Sequence, residues 1–99
     1  FWWERLLEDP AFVSELKSRW SELRNGAFSN AAILQKIETY TEILTLSGGL
    51  QNNFERWPVL GEYVWPNNFI GDTYAEERDY LIKWISDRAA WMDVAIDGL

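Results

Sequence analysis

Glu76, Glu77 and Asp79, crowded at the start of an apolar helical pattern, are the residues whose spacing comes nearest to acid–base or metal chemistry. Di-metal sites in helical proteins draw Glu-x-x-His motifs from facing helices. This chain has no His and no Cys, which removes imidazole bases, thiolate nucleophiles and the usual zinc ligands. Thr73-Tyr74-Ala75-Glu76 reads instead as a capping box, and acidic side chains suit the positive end of a helix dipole. The acidic set is therefore expected to be a solvated first turn, and no metal ligand is assigned. Ser47-Gly48-Gly49 has the outline of a nucleophile turn or a phosphate loop. The strand before it, the Lys of a P-loop and a base beside the Ser are missing, so a packing or kink role is expected.

Arginine beside tryptophan is the second pattern with chemical content. Arg19-Trp20 and Arg56-Trp57 share a dipeptide, and Arg88 lies between Trp84 and Trp91 at helical spacing. A guanidinium stacks on indole while its fork binds carboxylates or helix-end carbonyls. Stacking that positions helices is expected here ahead of ligand binding. Arg88 is expected to be buried and paired with a carboxylate or with terminal carbonyls. Tryptophans at helical spacing are expected in the core. Tyr63 and Trp65 fall in a loop and are the candidates for stacking on a glycan or touching a protein.

These residues must be positioned by helices. The stretch from Thr73 to Ala95 carries Leu81, Trp84, Ile85, Arg88, Trp91, Met92 and Ala95 along one helical stripe, which predicts the seam of a bundle. Asp79 and Lys83 are spaced for an i,i+4 pair, as are Glu15 and Arg19. Phe1 to Glu8 forms a short helical lead, and Asp9-Pro10 starts a helix bearing Phe12, Val13, Leu16, Trp20 and Leu23. Asn25-Gly26 ends it, with Gly suited to a left-handed C′ position. Ser29 caps the next helix, predicted to run with at most a kink from about Asn30 to Arg56 through Ser47-Gly48-Gly49. Trp57-Pro58 closes it. Pro58 to Asp72, with two Pro, two Gly and two Asn, reads as a loop whose apolar side chains fold back over the helices. The expected fold is all-α: an antiparallel bundle of three main helices plus a short N-terminal helix, with a long aromatic-rich loop before the last helix, residues 1–99 forming one helical domain.

Seven Trp, five Phe and four Tyr in 99 residues predict a dense core, since each large aromatic buries roughly 150 to 250 Å². The net charge of −7 argues against nucleic acid and anionic membrane surfaces as partners. No apolar run approaches the roughly 20 residues of a membrane span. The chain begins at Phe1 and its one Met is Met92, from which a fragment of a longer protein is expected.

Three stretches, Phe1 to Arg24, Asn53 to Gly61 and Tyr74 to Asp93, together resemble the C-terminal helical part of CotH kinase family proteins. The resemblance is carried in order by Leu6-Leu7, Asp9-Pro10, Phe12, Arg19-Trp20, Leu23-Arg24, Phe54, Arg56-Trp57, Gly61, Glu77, Leu81, Trp84, Arg88 and Trp91. Gly48-Gly49 and Phe69-Ile70-Gly71 match no part of it. The resemblance implies a secreted or surface parent with an atypical kinase fold that binds ATP and Mg²⁺ and phosphorylates Ser on partner proteins. The family's nucleotide-binding lysine and metal-binding aspartates lie upstream of this stretch, so it implies no catalytic, cofactor or metal residue here. The partner implied is the remainder of the kinase-like domain. A stand-alone module binding glycan or protein through loop aromatics is the alternative, and self-association through an uncovered apolar face is a third reading.

Overall fold

Asp9 accepts a hydrogen bond from the Ala11 N–H at 2.9 Å, and Pro10 follows it at the first helical position. This cap opens the second of five helices in the computed structural model, which describes residues 1–99. They are α1 (Trp2–Leu7), α2 (Pro10–Arg24), α3 (Asn30–Leu46), α4 (Gly49–Arg56) and α5 (Tyr74–Asp97). The chain is all-helical, and the segment between α4 and α5 is the long aromatic-rich loop that the sequence predicts. No helix is long and apolar enough to cross a membrane.

Five helices replace the three main ones and a short lead because the predicted Asn30–Arg56 helix is broken. Gly48 adopts φ +72°, a left-handed conformation that ends α3 and starts α4. Ser47 Oγ bridges the break, donating to the Leu44 carbonyl and accepting from the Gly49 N–H, each at 3.3 Å. That hydroxyl thus satisfies backbone groups that the interrupted helix would leave unpaired. Gly26 does not take the left-handed role expected of it. Asn25 ends α2 in right-handed geometry, and its backbone N–H and side-chain amide both donate to the Ser21 carbonyl.

The chain divides into two compact units: Phe1–Ile33 with Ser86–Leu99, and Leu34–Ile85. In place of a dense core, Ala89, at 7% exposure, is the only buried apolar side chain. Units of about fifty residues bury a smaller fraction of their surface than larger domains do, and here every indole is left at least partly exposed. The stripe predicted as the seam of α5 is also displaced. From Leu81 onward Ile82, Ile85, Ser86, Ala89, Met92, Asp93, Ala95 and Ile96 are the sheltered positions, Ile85, Met92 and Ala95 among them from the predicted stripe, whereas Leu81, Trp84, Arg88 and Trp91 are exposed. At about 100° per residue the two stripes lie roughly a third of a turn apart.

In the second unit the loop is tied to the start of α5. Thr73 Oγ1 accepts from the Glu76 N–H at 3.2 Å, as a capping box requires. The Glu76 carboxylate reaches one residue further back than the box predicts, accepting from the Asp72 N–H at 2.7 Å, and Glu77 accepts from the Gly71 N–H at 2.7 Å. Gly71 in turn accepts from the Gly61 N–H at 2.9 Å. A Cβ at Gly71 would lie 2.9 Å from Glu77 Cγ, so only glycine allows this approach. Phe69 stacks on Tyr80 at 4.3 Å between centroids and is half-buried with Leu60, while Val59, Tyr63, Val64, Trp65 and Ile70 stay exposed. The loop therefore folds back at two points and not along its length.

Candidate functional site

The most connected polar cluster lies in the first unit, where α2 meets the last turns of α5. Trp20 is on the sheltered face of α2 with Val13, Leu16, Leu23 and Arg24. Its indole Nε1 donates to Asp93 Oδ1 at 2.8 Å. Arg24, one turn later, donates from Nε to the same oxygen at 2.9 Å and from Nη2 to Oδ2 at 3.1 Å. One carboxylate thus takes a fork from arginine and a third donor from indole, a charge-assisted arrangement of the stronger kind. The Arg24 side chain is only 18% exposed. Its Nη1 continues to the Phe28 carbonyl and, at 3.0 Å, to Asn30 Oδ1, while Asn30 Nδ2 donates to Ser86 Oγ at 3.4 Å.

The hydrogen bond from Arg24 holds the Asp93 carboxyl below its ordinary value; partial burial opposes this, and the Trp20 hydrogen bond and the guanidinium charge reinforce it. Beside the cluster runs a groove of about 590 Å³ lined by Lys17, Trp20, Arg24, Asp93 and Asp97. Lys17 Nζ donates to the Asp97 carbonyl at 2.9 Å, which places a cation at the negative end of α5. In the second unit, a more apolar groove of about 440 Å³ is lined by Ile37, Tyr40, Thr41, Tyr74, Tyr80 and Leu81. Thr41 Oγ1 and the Tyr74 hydroxyl lie 3.3 Å apart there.

The arginine–tryptophan dipeptides do not act as units of one kind. Arg19 pairs with Glu22 at 2.7 Å, one residue nearer than a bond to Glu15 would have been. Its neighbour Trp20 turns to Asp93. Arg56 lies over the ring of Trp57 at 5.8 Å, and both are exposed. Arg88 is exposed, contrary to the burial expected, and its guanidinium sits 4.2 Å from the centroid of the Trp91 ring. The rotation of the sheltered face toward Ala89 carries Arg88 outward with Trp84 and Trp91. Asp79 is bound by Arg78 at 2.7 Å. Trp65 stands at the tip of a turn closed by the Asn67 N–H on the Val64 carbonyl, with a cis Trp65–Pro66 peptide, and is 80% exposed. Of the two residues that organise the cluster, Arg24 enters the sequence reading only as part of the family resemblance and Asp93 not as a site residue at all. Only the placement of Arg24 one turn after Trp20 hints at them.

The chain is all-helical, and α2 and α5 are joined through a tryptophan–arginine–carboxylate cluster. Residues 1–92 match the CotH family, described as CotH kinase protein. The chain belongs to that family. No match was found among curated proteins or among solved structures.

Proposed function

We propose that this chain is a non-catalytic helical segment of a CotH-like secreted atypical protein kinase, completing or packing against the C-lobe of a longer protein. The observation that carries this reading is the apolar surface left in water. Trp91 and Val94 are exposed in the first unit, and Leu46, Trp57, Leu81 and Trp84 in the second. Large apolar side chains left in water at this number favour an interface, and each Å² removed from water is worth about 25 cal/mol. A covering surface from the remainder of the kinase-like domain accounts for it.

ATP and Mg²⁺ are cofactors that the family implies, and the charged side chains of the clusters described above are already engaged within the chain. Glu76 and Glu77 are spent on backbone N–H groups, Asp93 on Arg24 and Trp20, and Lys17 on a helix-end carbonyl. Phosphoryl transfer needs a cation at the phosphates, acidic metal ligands and a group that positions the hydroxyl. In this reading all three belong to the rest of the protein, and the extracellular or surface location belongs to the same reading. Calorimetry tests it: the longer protein binds Mg²⁺-ATP and residues 1–99 do not. Binding by residues 1–99 alone overturns it.

The exposure of Trp65 and Tyr63 at the loop favours a second reading, a glycan- or protein-binding face. Tryptophan emission that stays unchanged across a glycan panel removes its carbohydrate version.

A further inference from the structure

Asn25 is the one asparagine of the chain that glycine follows. This pairing favours attack by the next residue's backbone nitrogen on the asparagine side chain, because glycine puts no side chain in the way. The Gly26 amide loses its proton to base and its nitrogen bonds to Asn25 Cγ; the Cγ–Nδ2 bond breaks and ammonia leaves. Water then opens the resulting cyclic imide at either carbonyl, giving aspartate or isoaspartate at position 25. The fold opposes each part of that step, although Asn25 is exposed. A ψ of −3° brings the Gly26 nitrogen nearly into eclipse with the backbone nitrogen of Asn25, which leaves the tetrahedral Cα holding Cβ turned away from the attacker. The Gly26 N–H donates to the Leu23 carbonyl at 3.1 Å, and Asn25 Nδ2 donates to the Ser21 carbonyl at 2.9 Å. Reaching the imide requires the last turn of α2 to open.

We infer that Asn25 is a deamidation site latched shut by the last turn of α2, and that the Asp93 cluster is what holds this turn closed. Arg24 directly precedes Asn25. Its guanidinium donates to Asp93 Oδ1 at 2.9 Å and Oδ2 at 3.1 Å, and also to the Phe28 carbonyl beyond Gly26. The backbone on both sides of Asn25-Gly26 is thus tied to one guanidinium. Conversion runs one way. The new carboxylate cannot donate to the Ser21 carbonyl, it stands at the carbonyl end of α2 where negative charge is unfavourable, and it joins Asp93 and Asp97 along the same groove. A turn that has opened long enough to convert therefore closes less firmly afterwards, and the first unit records its time spent open as a permanent charge.

The test follows the unsubstituted protein in heavy-oxygen water, folded in buffer and unfolded in guanidinium chloride at the same mildly alkaline pH. Peptide mass spectrometry reads the oxygen taken up at position 25. Deamidation is expected to be at least about tenfold slower in the folded protein, because it waits on a local opening. D93N weakens the charge-assisted bonds from Arg24 and is expected to raise the folded rate about tenfold, or to the unfolded rate if that is reached first. W20F removes one neutral donor to Asp93 and is expected to raise it about fivefold. If circular dichroism finds D93N unfolded, the W20F rate decides. Equal rates in the folded and unfolded protein overturn the latch. A slow folded rate that W20F and a folded D93N both leave unchanged overturns the hold assigned to the Asp93 cluster.

Discussion

Replacing Gly48 by Ala isolates the backbone of the α3–α4 junction from everything around it. A methyl built on Gly48 meets nothing within 4 Å, and φ there is +72°, so the cost is conformational alone. The left-handed region lies about 1–2 kcal/mol above the right-handed one for an L-residue. Lost freedom of the unfolded chain offsets about 0.4–1 kcal/mol of that. A net loss of about 1 kcal/mol is expected, and Tm falls by about 4–8 °C per kcal/mol in a chain of this size. Gly49 is the control. It begins α4 without a positive φ, and its added Cβ would lie 3.2 Å from Ser47 Oγ, which has to give by a few tenths of an ångström while keeping its bonds to the Leu44 carbonyl and the residue 49 N–H. G49A is expected to be neutral or to gain up to about 1 kcal/mol. G48N recovers part of the loss, because asparagine tolerates the left-handed region. Urea unfolding followed by tryptophan emission, with calorimetric Tm, measures all three. Gains in both alanine variants would mean one continuous helix from Asn30 to Arg56, and the break described here would be wrong.

The Asp93 clamp predicts a pH signature. Its carboxyl is held below the ordinary 3.8, so its stabilisation is full above that value and is lost as pH falls through the lower folded pKa. D93N therefore lowers the urea midpoint at pH 7, and the gap from the unsubstituted protein closes as pH is taken below 3.8; a gap constant with pH refutes the assignment. W20F keeps a ring but removes the donor to Asp93, and is expected to cost about 1 kcal/mol in urea unfolding. G71A forces a Cβ against Glu77 at 2.9 Å, and the overpacking is expected to cost about 1–3 kcal/mol. E77Q combined with it should cost less than the two single changes added together, because both act on the Gly71–Glu77 contact.

Helix starts were legible because their signals are local. Asp9 before Pro10, Ser29 accepting from the Ala32 N–H, and Thr73 before Glu76 each act within three residues of themselves. The orientation of α5 was not. Its sequence holds two apolar stripes about a third of a turn apart, and periodicity alone cannot say which one a neighbour covers. The stripe with Trp84 and Trp91 is the exposed one, and the one centred on Ala89 is sheltered. The break at Gly48 turned on one backbone angle that two adjacent glycines left open. The link from Arg24 to Asp93 joins residues 69 apart, a distance over which neither propensity nor spacing carries information.

That separation also sets an order of assembly. The first unit is made of the two ends of the chain, Phe1–Ile33 and Ser86–Leu99, while the second is one uninterrupted stretch between them. During synthesis at about 5–20 residues per second, Trp20 and Arg24 wait several seconds for Asp93 to be made. The second unit has all its residues before then. The second unit is therefore synthesised whole before the first unit can close.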